Sequence, residues 1–244
     1  MSTQQGIDLA TIAGTGPDGE ITRADIERAA QESTGAEPLR GVRRAMAQRM
    51  EEAGRAVVPA TVTEEADVHA WPPGAPVTAR LLAAMVAGCR AEPALNAAYD
   101  GAARARRLNA PVHAGIAVDT GDGLIVPVLR DADRQDEPAL AAALRDLIAA
   151  ARARTLAPEA LRGATISLSN FGSLGGMYAA LVVVPPQVAI LGAGRIRPVV
   201  VETAGGFAAR RMLPLSLTFD HRAVSGGEAA RFLAAVRAAL EHPT

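Results

Sequence analysis

Residues 212–227 read MLPLSLTFDHRAVSGG. Up to Phe219, large apolar residues alternate with smaller ones, the period of a strand, whereas from Gly226 to Leu240 the apolar positions recur at helical spacing. The polar break Asp220-His221-Arg222 therefore puts a histidine at the end of a strand and ahead of a helix. The local pattern leaves two readings of His221 open. It is either a surface or satisfied core histidine, the commoner case, or a group placed for chemistry.

Outward from this junction, residues 57–68 alternate like a strand, and 78–90 and 138–154 read as helices rich in alanine and leucine. Residues 164–170, 188–191 and 195–201 are strand-like, and 113–118 and 124–129 read as two strands joined by the turn Thr120-Gly121-Asp122-Gly123. Strands and helices alternate without the regular rhythm of a doubly wound sheet. The expected class is α/β in the α+β sense, a mixed sheet with helices packed against it.

Towards the N-terminus, residues 39–53 set Val42, Met46 and Met50 four apart with arginines elsewhere, the pattern of an amphipathic helix docked by one face. Residues 6–30 form a small module: a short apolar turn, a Gly/Pro-rich loop, and a helix opened by Thr22 with Asp25 three positions on, a relative of the capping box. Its Gly14-Thr15-Gly16-Pro17-Asp18-Gly19 matches the spacing of a dinucleotide fingerprint, but no strand precedes it and no strand-helix-strand unit surrounds it, so it reads as a loop. The expected organisation is a module over 6–30, a polar linker over 31–38 and a large domain over 39–243.

Composition narrows the function classes. The chain has 244 residues, enough for a substantial core, and is 49% apolar but only 3% aromatic, which leaves few platforms for stacking bases. With 25 basic against 26 acidic residues there is no electrostatic case for nucleic acid. Cys89 is the only cysteine, which excludes disulfides and cysteine-based zinc sites and suits a buried small hydrophobe. His69, His113 and His242 have no ligand-spaced partner, so no metal is expected. No run approaches the roughly 18 apolar residues of a membrane span, and Met1-Ser2-Thr3-Gln4-Gln5 lacks the marks of a signal peptide, so a cytoplasmic protein is expected.

Several segments, in order, carry a resemblance: GVRRAMA (41–47), PALNAAY (93–99), GLIVPVLRDAD (123–133), SNFGSLGG (169–176), PPQVAILG (185–192) and FDHR (219–222). Together they resemble the catalytic domain of the 2-oxo acid dehydrogenase dihydrolipoyl acyltransferases, over about residues 39–243, and the small module resembles the peripheral subunit-binding domain of the same enzymes. The resemblance implies a chloramphenicol-acetyltransferase-like fold, a homotrimer with active sites between subunits, and transfer of an acyl group between thioester and thiol. His221 matches the family's general base, which takes the proton of a coenzyme A or dihydrolipoamide thiol as the sulfur attacks. A thiol titrates near about 8.5, so a neutral imidazole can draw it towards the thiolate. Ser169 matches the serine that hydrogen-bonds the tetrahedral oxyanion, contributed by the neighbouring subunit. Asn170 and Gly172 read as turn residues that aim Ser169, and Arg222 as a residue that fixes the loop.

The sequence also departs from the family. Ser225 stands where Asp or Asn usually precedes the glycine, here Gly226. That side chain braces the catalytic loop in the family, and Arg43 is its partner by motif position, so activity is expected to be reduced or redirected. Residues 178–185, YAALVVVP, are apolar where the family is typically polar. The module lacks the family's first helix, and Glu20 replaces a basic loop residue, so binding to dehydrogenase subunits is expected to weaken or vanish. With no lipoyl domain and no lysine, no covalently bound cofactor is expected. Coenzyme A would be a substrate, and the lipoyl group would arrive in trans on a separate lipoyl or acyl-carrier protein. The ending Glu241-His242-Pro243-Thr244 has no apolar anchor, which suggests an isolated trimer. A non-catalytic trimeric scaffold derived from the same family is the alternative.

Overall fold

The computed structural model describes residues 11–34, 39–121 and 123–242. They fall into two units, residues 1–45 and 46–244, with the boundary inside one helix. The first five residues of the expected module, 6–10, lie outside the described residues, as do 35–38.

In the first unit, α1 (Arg23–Thr34) begins where the Thr22/Asp25 pattern places it and runs into the stretch read as linker. Gln31 and Glu32 are good helix formers with nothing to stop them. Asp25 is fully buried and accepts hydrogen bonds from the backbone N–H and hydroxyl of both Thr15 and Thr22, with Arg28 as its ion partner. The backbone bonds from Thr15 and Thr22 hold its carboxyl below the usual carboxylate range. The Gly/Pro-rich loop is thus a carboxylate-centred turn. A side chain on Gly14 would collide with the backbone of Gly19 and Glu20, so the glycine spacing answers to close packing rather than to a nucleotide.

α2 (Gly41–Ala56) spans the unit boundary. Val42 and Met46 on its apolar stripe are exposed, and only Ala53 is buried.

The second unit is built on a mixed sheet. Its strands are β1 (Pro59–Asp67), β4 (Ala114–Ile116), β7 (Val128–Leu129), β8 (Ile166–Asn170), β9 (Ala189–Ala193), β10 (Arg197–Thr203) and β11 (Gly206–Asp220), in the order β1-β11-β9-β8-β4-β7 with β10 paired to β11. The pairs β4/β8 and β8/β9 are parallel and the rest antiparallel. The two strands expected over 113–129 are each divided. Outside the main sheet, β5 (Val118–Thr120) pairs with β6 (Gly123–Ile125) in a ribbon of their own. Pro127, which has no N–H to donate, sits at one break, and Ala117 at the other donates to Leu168 O instead of across the hairpin. A further hairpin, β2 (Ala97–Asp100) and β3 (Ala105–Leu108), was not foreseen in the sequence.

β11 explains its own alternation. Leu213, Leu215, Leu217 and Phe219 are buried in the hydrophobic core together with residues of α3 (Val77–Ala91) and α5 (Gly226–Glu241). Ser216 and Thr218, pointing the opposite way, are equally buried, because residues 176–184 cross that face without regular structure. There the N–H groups of Ala179 and Leu181 donate to Ser216 Oγ and Thr218 Oγ1 at 3.2 and 3.0 Å. The small polar residues of the strand supply the acceptors that this covering segment would otherwise lack.

α4 (Glu137–Ala153) is capped by Asp136, whose carboxylate accepts from Ala139 N. Cys89 is buried, and burial pushes its thiol up to about 12, as expected of a packing residue. On α3, Gly88 faces α5 so closely that a Cβ would lie 2.7 Å from a Val236 methyl and 2.9 Å from the Phe232 ring. Gly88→Ala gains helix propensity but overpacks this crossing. We expect a net loss of about 1–3 kcal/mol in denaturant unfolding; a stabilised variant would show that the two helices part freely.

Candidate active site

His221 follows the last residue of β11, and the carboxylate beneath it sets the junction. Asp220 is buried and accepts from Val58 N at 3.4 Å, from Arg222 N at 3.1 Å, and from the Arg222 guanidinium at 2.6–3.2 Å. Burial alone would raise its pKa, but the bonds from Arg222 and Val58 and the Arg222 charge outweigh that and hold it below the ordinary value. Arg222 also donates to Ala56 O and lies over the Tyr99 ring at 4.7 Å. These contacts join Arg222 to the carboxylate, to the end of α2 and to the β2/β3 hairpin. The His221 N–H is bound to Val58 O at 2.8 Å, and its ring leans on Phe219 at 5.4 Å between centroids. The backbone is therefore held while the imidazole is exposed, with no hydrogen bond to its ring nitrogens among the described residues.

That imidazole lines an open pocket of about 520 Å³ together with Tyr99, Arg104, Arg106, Arg222, Ser225 and Glu228. Cross-strand pairing of Tyr99 with Arg106 puts both on one face of the β2/β3 hairpin. Arg106 is tied to Glu228 at 3.0 Å and to Ala223 O at 2.6 Å. The sequence reading missed Tyr99, Arg104, Arg106 and Glu228. The signal that could have found the first three is Asp100-Gly101, a turn dipeptide; its carboxylate accepts from Ala102 N and Ala103 N and reverses the chain.

Ser169 lies near the end of β8, half-buried, with no hydrogen-bond partner for its hydroxyl among the described residues. Asn170 beside it donates to Thr78 Oγ1 and accepts from Gly172 N, which fixes the turn after the strand. The sheet register keeps Ser169 away from His221. Ser169 is level with Gly192 on β9, and Gly192 with Ser216 on β11, five residues short of His221. At about 3.3 Å per residue that is about 17 Å along the strand, and two strand spacings add about 10 Å sideways. One chain does not bring the two side chains to one substrate.

Ser225 has a definite local task. Its hydroxyl accepts from Glu228 N at 3.3 Å and its N–H donates to Glu228 Oε2 at 2.7 Å, a capping box that starts α5 ahead of Gly226. Ser, Asp and Asn are interchangeable in this role, which gives the departure from Asp or Asn a physical basis. Arg43 is exposed on α2 and belongs to the first unit, and within the second unit Arg222 pairs with Asp220. Among the described residues no group of three His, Cys, Asp or Glu could hold a metal, and no helix is long and apolar enough to cross a membrane.

Two measurements probe this junction. Ser225→Ala should cost about 1 kcal/mol, whereas Ser225→Asn should be close to neutral in unfolding experiments. Asp220→Asn should cost about 2–3 kcal/mol at neutral pH. Because the folded-state pKa of Asp220 is depressed, its contribution is complete above the unfolded value near about 4 and is lost as pH falls below it. The wild-type advantage over the variant should therefore vanish in acid, and a difference independent of pH would show that the charge contributes nothing.

The geometry has counterparts among known proteins. Residues 75–244 match the 2-oxoacid dehydrogenases acyltransferase (catalytic domain), and residues 1–27 match the e3 binding domain. The lipoamide acyltransferase component of the branched-chain alpha-keto acid dehydrogenase complex of Pseudomonas aeruginosa is 36% identical over 98% of this chain; this chain spans 63% of that protein's length. A solved structure of Azotobacter vinelandii dihydrolipoamide acetyltransferase, from work on the role of a serine, a histidine and an asparagine in its catalytic mechanism, aligns with a TM-score of 0.77 and 30% identity, covering 86% of this chain and 94% of that one. Chloramphenicol acetyltransferase, at 14% identity and a TM-score of 0.51 over 79% of this chain and 94% of its own, shares the fold. The catalytic-domain match runs from the approach to α3 through the strands β8, β9 and β11 to the final helix, and by it the chain belongs to the 2-oxoacid dehydrogenase acyltransferase family.

Proposed function

We propose that this chain transfers an acyl group between thiols, with His221 as general base and Ser169 of another copy as oxyanion donor. One observation carries this reading. The serine, histidine and asparagine of the Azotobacter enzyme are separated by 52 and four residues, and Ser169, His221 and Ser225 are separated by the same intervals. The sheet register supports the second copy, because a serine and a histidine at opposite ends of one sheet can meet at one thioester only across a subunit boundary. A homotrimer closes such a head-to-tail arrangement.

The exposed imidazole takes the proton of the incoming thiol as its sulfur attacks the thioester carbonyl. Ser169 donates to the oxyanion that forms, a contact worth about 3–4 kcal/mol of barrier where it has been tested. Collapse of the tetrahedral species breaks the old carbon–sulfur bond, and the departing thiolate recovers the proton from His221. Coenzyme A and dihydrolipoamide are the thiols in view. The dihydrolipoyl thiol would be presented to the site on a lipoyl domain. The match of residues 1–27 supports docking to a dehydrogenase subunit and outweighs the substitution at Glu20 that argued against it.

His221→Ala and Ser169→Ala should each reduce acyl transfer by about 100-fold or more. Co-refolding equal amounts of the two variants should restore about a quarter of the sites, because one interface in four then combines an intact histidine with an intact serine. Failure of the mixture to recover would place both groups in one chain's site or remove Ser169 from the mechanism. Equal background rates for wild type and His221→Ala would favour the non-catalytic scaffold.

A further inference from the structure

A second pocket, of about 390 Å³, lies at the base of the β2/β3 hairpin and shares no lining residue with the one beside His221. Its size suits a small ligand. Asn96, which precedes β2 and is 2% exposed, lines it. The Asn96 N–H donates to Pro93 O, its carbonyl accepts from Asn109 N, and Nδ2 donates to Asn109 O at 2.9 Å and to Pro111 O at 3.0 Å. Two carbonyl acceptors fix which end of the amide is nitrogen, so the buried side-chain atom without a partner among the described residues is Oδ1, an acceptor. Such atoms are rare in folded chains, because nothing replaces the hydrogen bond they made to water.

Two opposite charges line the same pocket, and neither forms an ion pair among the described residues. Asp133 accepts from Val112 N at 2.8 Å through Oδ1, and the exposed Arg90 donates through one Nη to the Asp133 backbone carbonyl at 2.5 Å. Because Asn96 holds the carbonyl of Pro111 and Asp133 the N–H of Val112, the amide and the carboxylate flank a single peptide unit. Apolar wall is supplied by the exposed Leu108, by Val112 and by Cys89, whose thiol is kept protonated by burial and by the Asp133 charge.

We infer that this pocket binds a small apolar α-amino acid, with its ammonium on Asp133 and Asn96 Oδ1, its carboxylate on Arg90 and its side chain against Leu108 and Val112. An ammonium has donors only, which suits the carboxylate and the unpartnered amide oxygen; a carboxylate has acceptors only, which suits the guanidinium. An anion alone would leave Asp133 and Asn96 Oδ1 unserved, a cation alone would leave Arg90, and a zwitterion without an apolar side chain would leave Leu108 and Val112 in water. The site takes no part in the acyl transfer proposed above.

Calorimetric titration of the full chain with L-leucine as the probe should show saturable binding. Glycine, which lacks the apolar side chain, isocaproate, which lacks the ammonium, and isoamylamine, which lacks the carboxylate, should each bind at least about tenfold more weakly. Arg90→Gln and Asp133→Asn should each raise Kd for L-leucine about tenfold. The first substitution is exposed and the second keeps an oxygen for Val112 N, so both leave the fold intact. Amide hydrogen exchange locates the site: saturating L-leucine should slow exchange at Asn109 and Val112, whose N–H groups are bonded to Asn96 O and Asp133 Oδ1. Absence of L-leucine binding at millimolar concentration, equal affinity for any of the three analogues, or wild-type affinity in both variants overturns the inference. Binding without acyl transfer leaves it standing and counts against the proposed function alone, whereas acyl transfer without binding overturns it and leaves that function intact.

Discussion

A buried carboxylate at the end of the longest strand governs the second unit. Asp220 terminates β11, ties the strand to Val58 at the start of β1, and turns the chain through Arg222 into α5. A charged group in that position would be costly alone, and the arrangement persists because every face of the carboxylate meets a donor. The consequence is mechanical. With Asp220 held from both sides and the His221 N–H bound to Val58 O, the imidazole has its origin fixed by backbone and its ring free to meet a substrate.

The same strand shows how a core can be built on two faces with little aromatic mass. Leucines and Phe219 fill one side, and hydroxyls on the other act as acceptors for a segment that has no regular ladder of its own. Gly192 and Gly194 let that segment approach, since a side chain at either would collide with Leu181 or with the backbone of Met177. Small residues on the sheet are therefore as structural as the large ones. Tyr178 and Val182 of this covering segment are exposed and belong to the apolar stretch over residues 178–185.

Much of this was legible in the sequence, and what was not has identifiable causes. The strand-to-helix change at residues 219–226 was readable because its two periods are different and both are long. The Thr22/Asp25 pair was readable because capping chemistry is local. The β2/β3 hairpin escaped because four-residue strands bearing Arg106 and Arg107 carry no apolar alternation, and only Asp100-Gly101 marks the turn. The division of the 113–129 hairpin escaped because it depends on which strand Ala117 meets in space. Likewise, the stripe of Val42 and Met46 was correct in period but not in burial: periodicity reports which residues share a face and is silent on whether that face is covered.

The candidate site follows the same rule at a larger scale. His221 was visible because its surroundings are written in consecutive residues, but its separation from Ser169 is a property of register, set by pairings β11/β9 and β9/β8 that join residues far apart in sequence. Register fixes the serine at one end of the sheet and the histidine at the other, and neither can drift, because a slip of one residue would turn each strand's apolar face outward. A chemistry that needs both groups is thereby denied to a single chain by its own core. On the proposed mechanism, assembly is then a condition of catalysis, and the stability of the sheet and a division of the site between copies would have one physical origin.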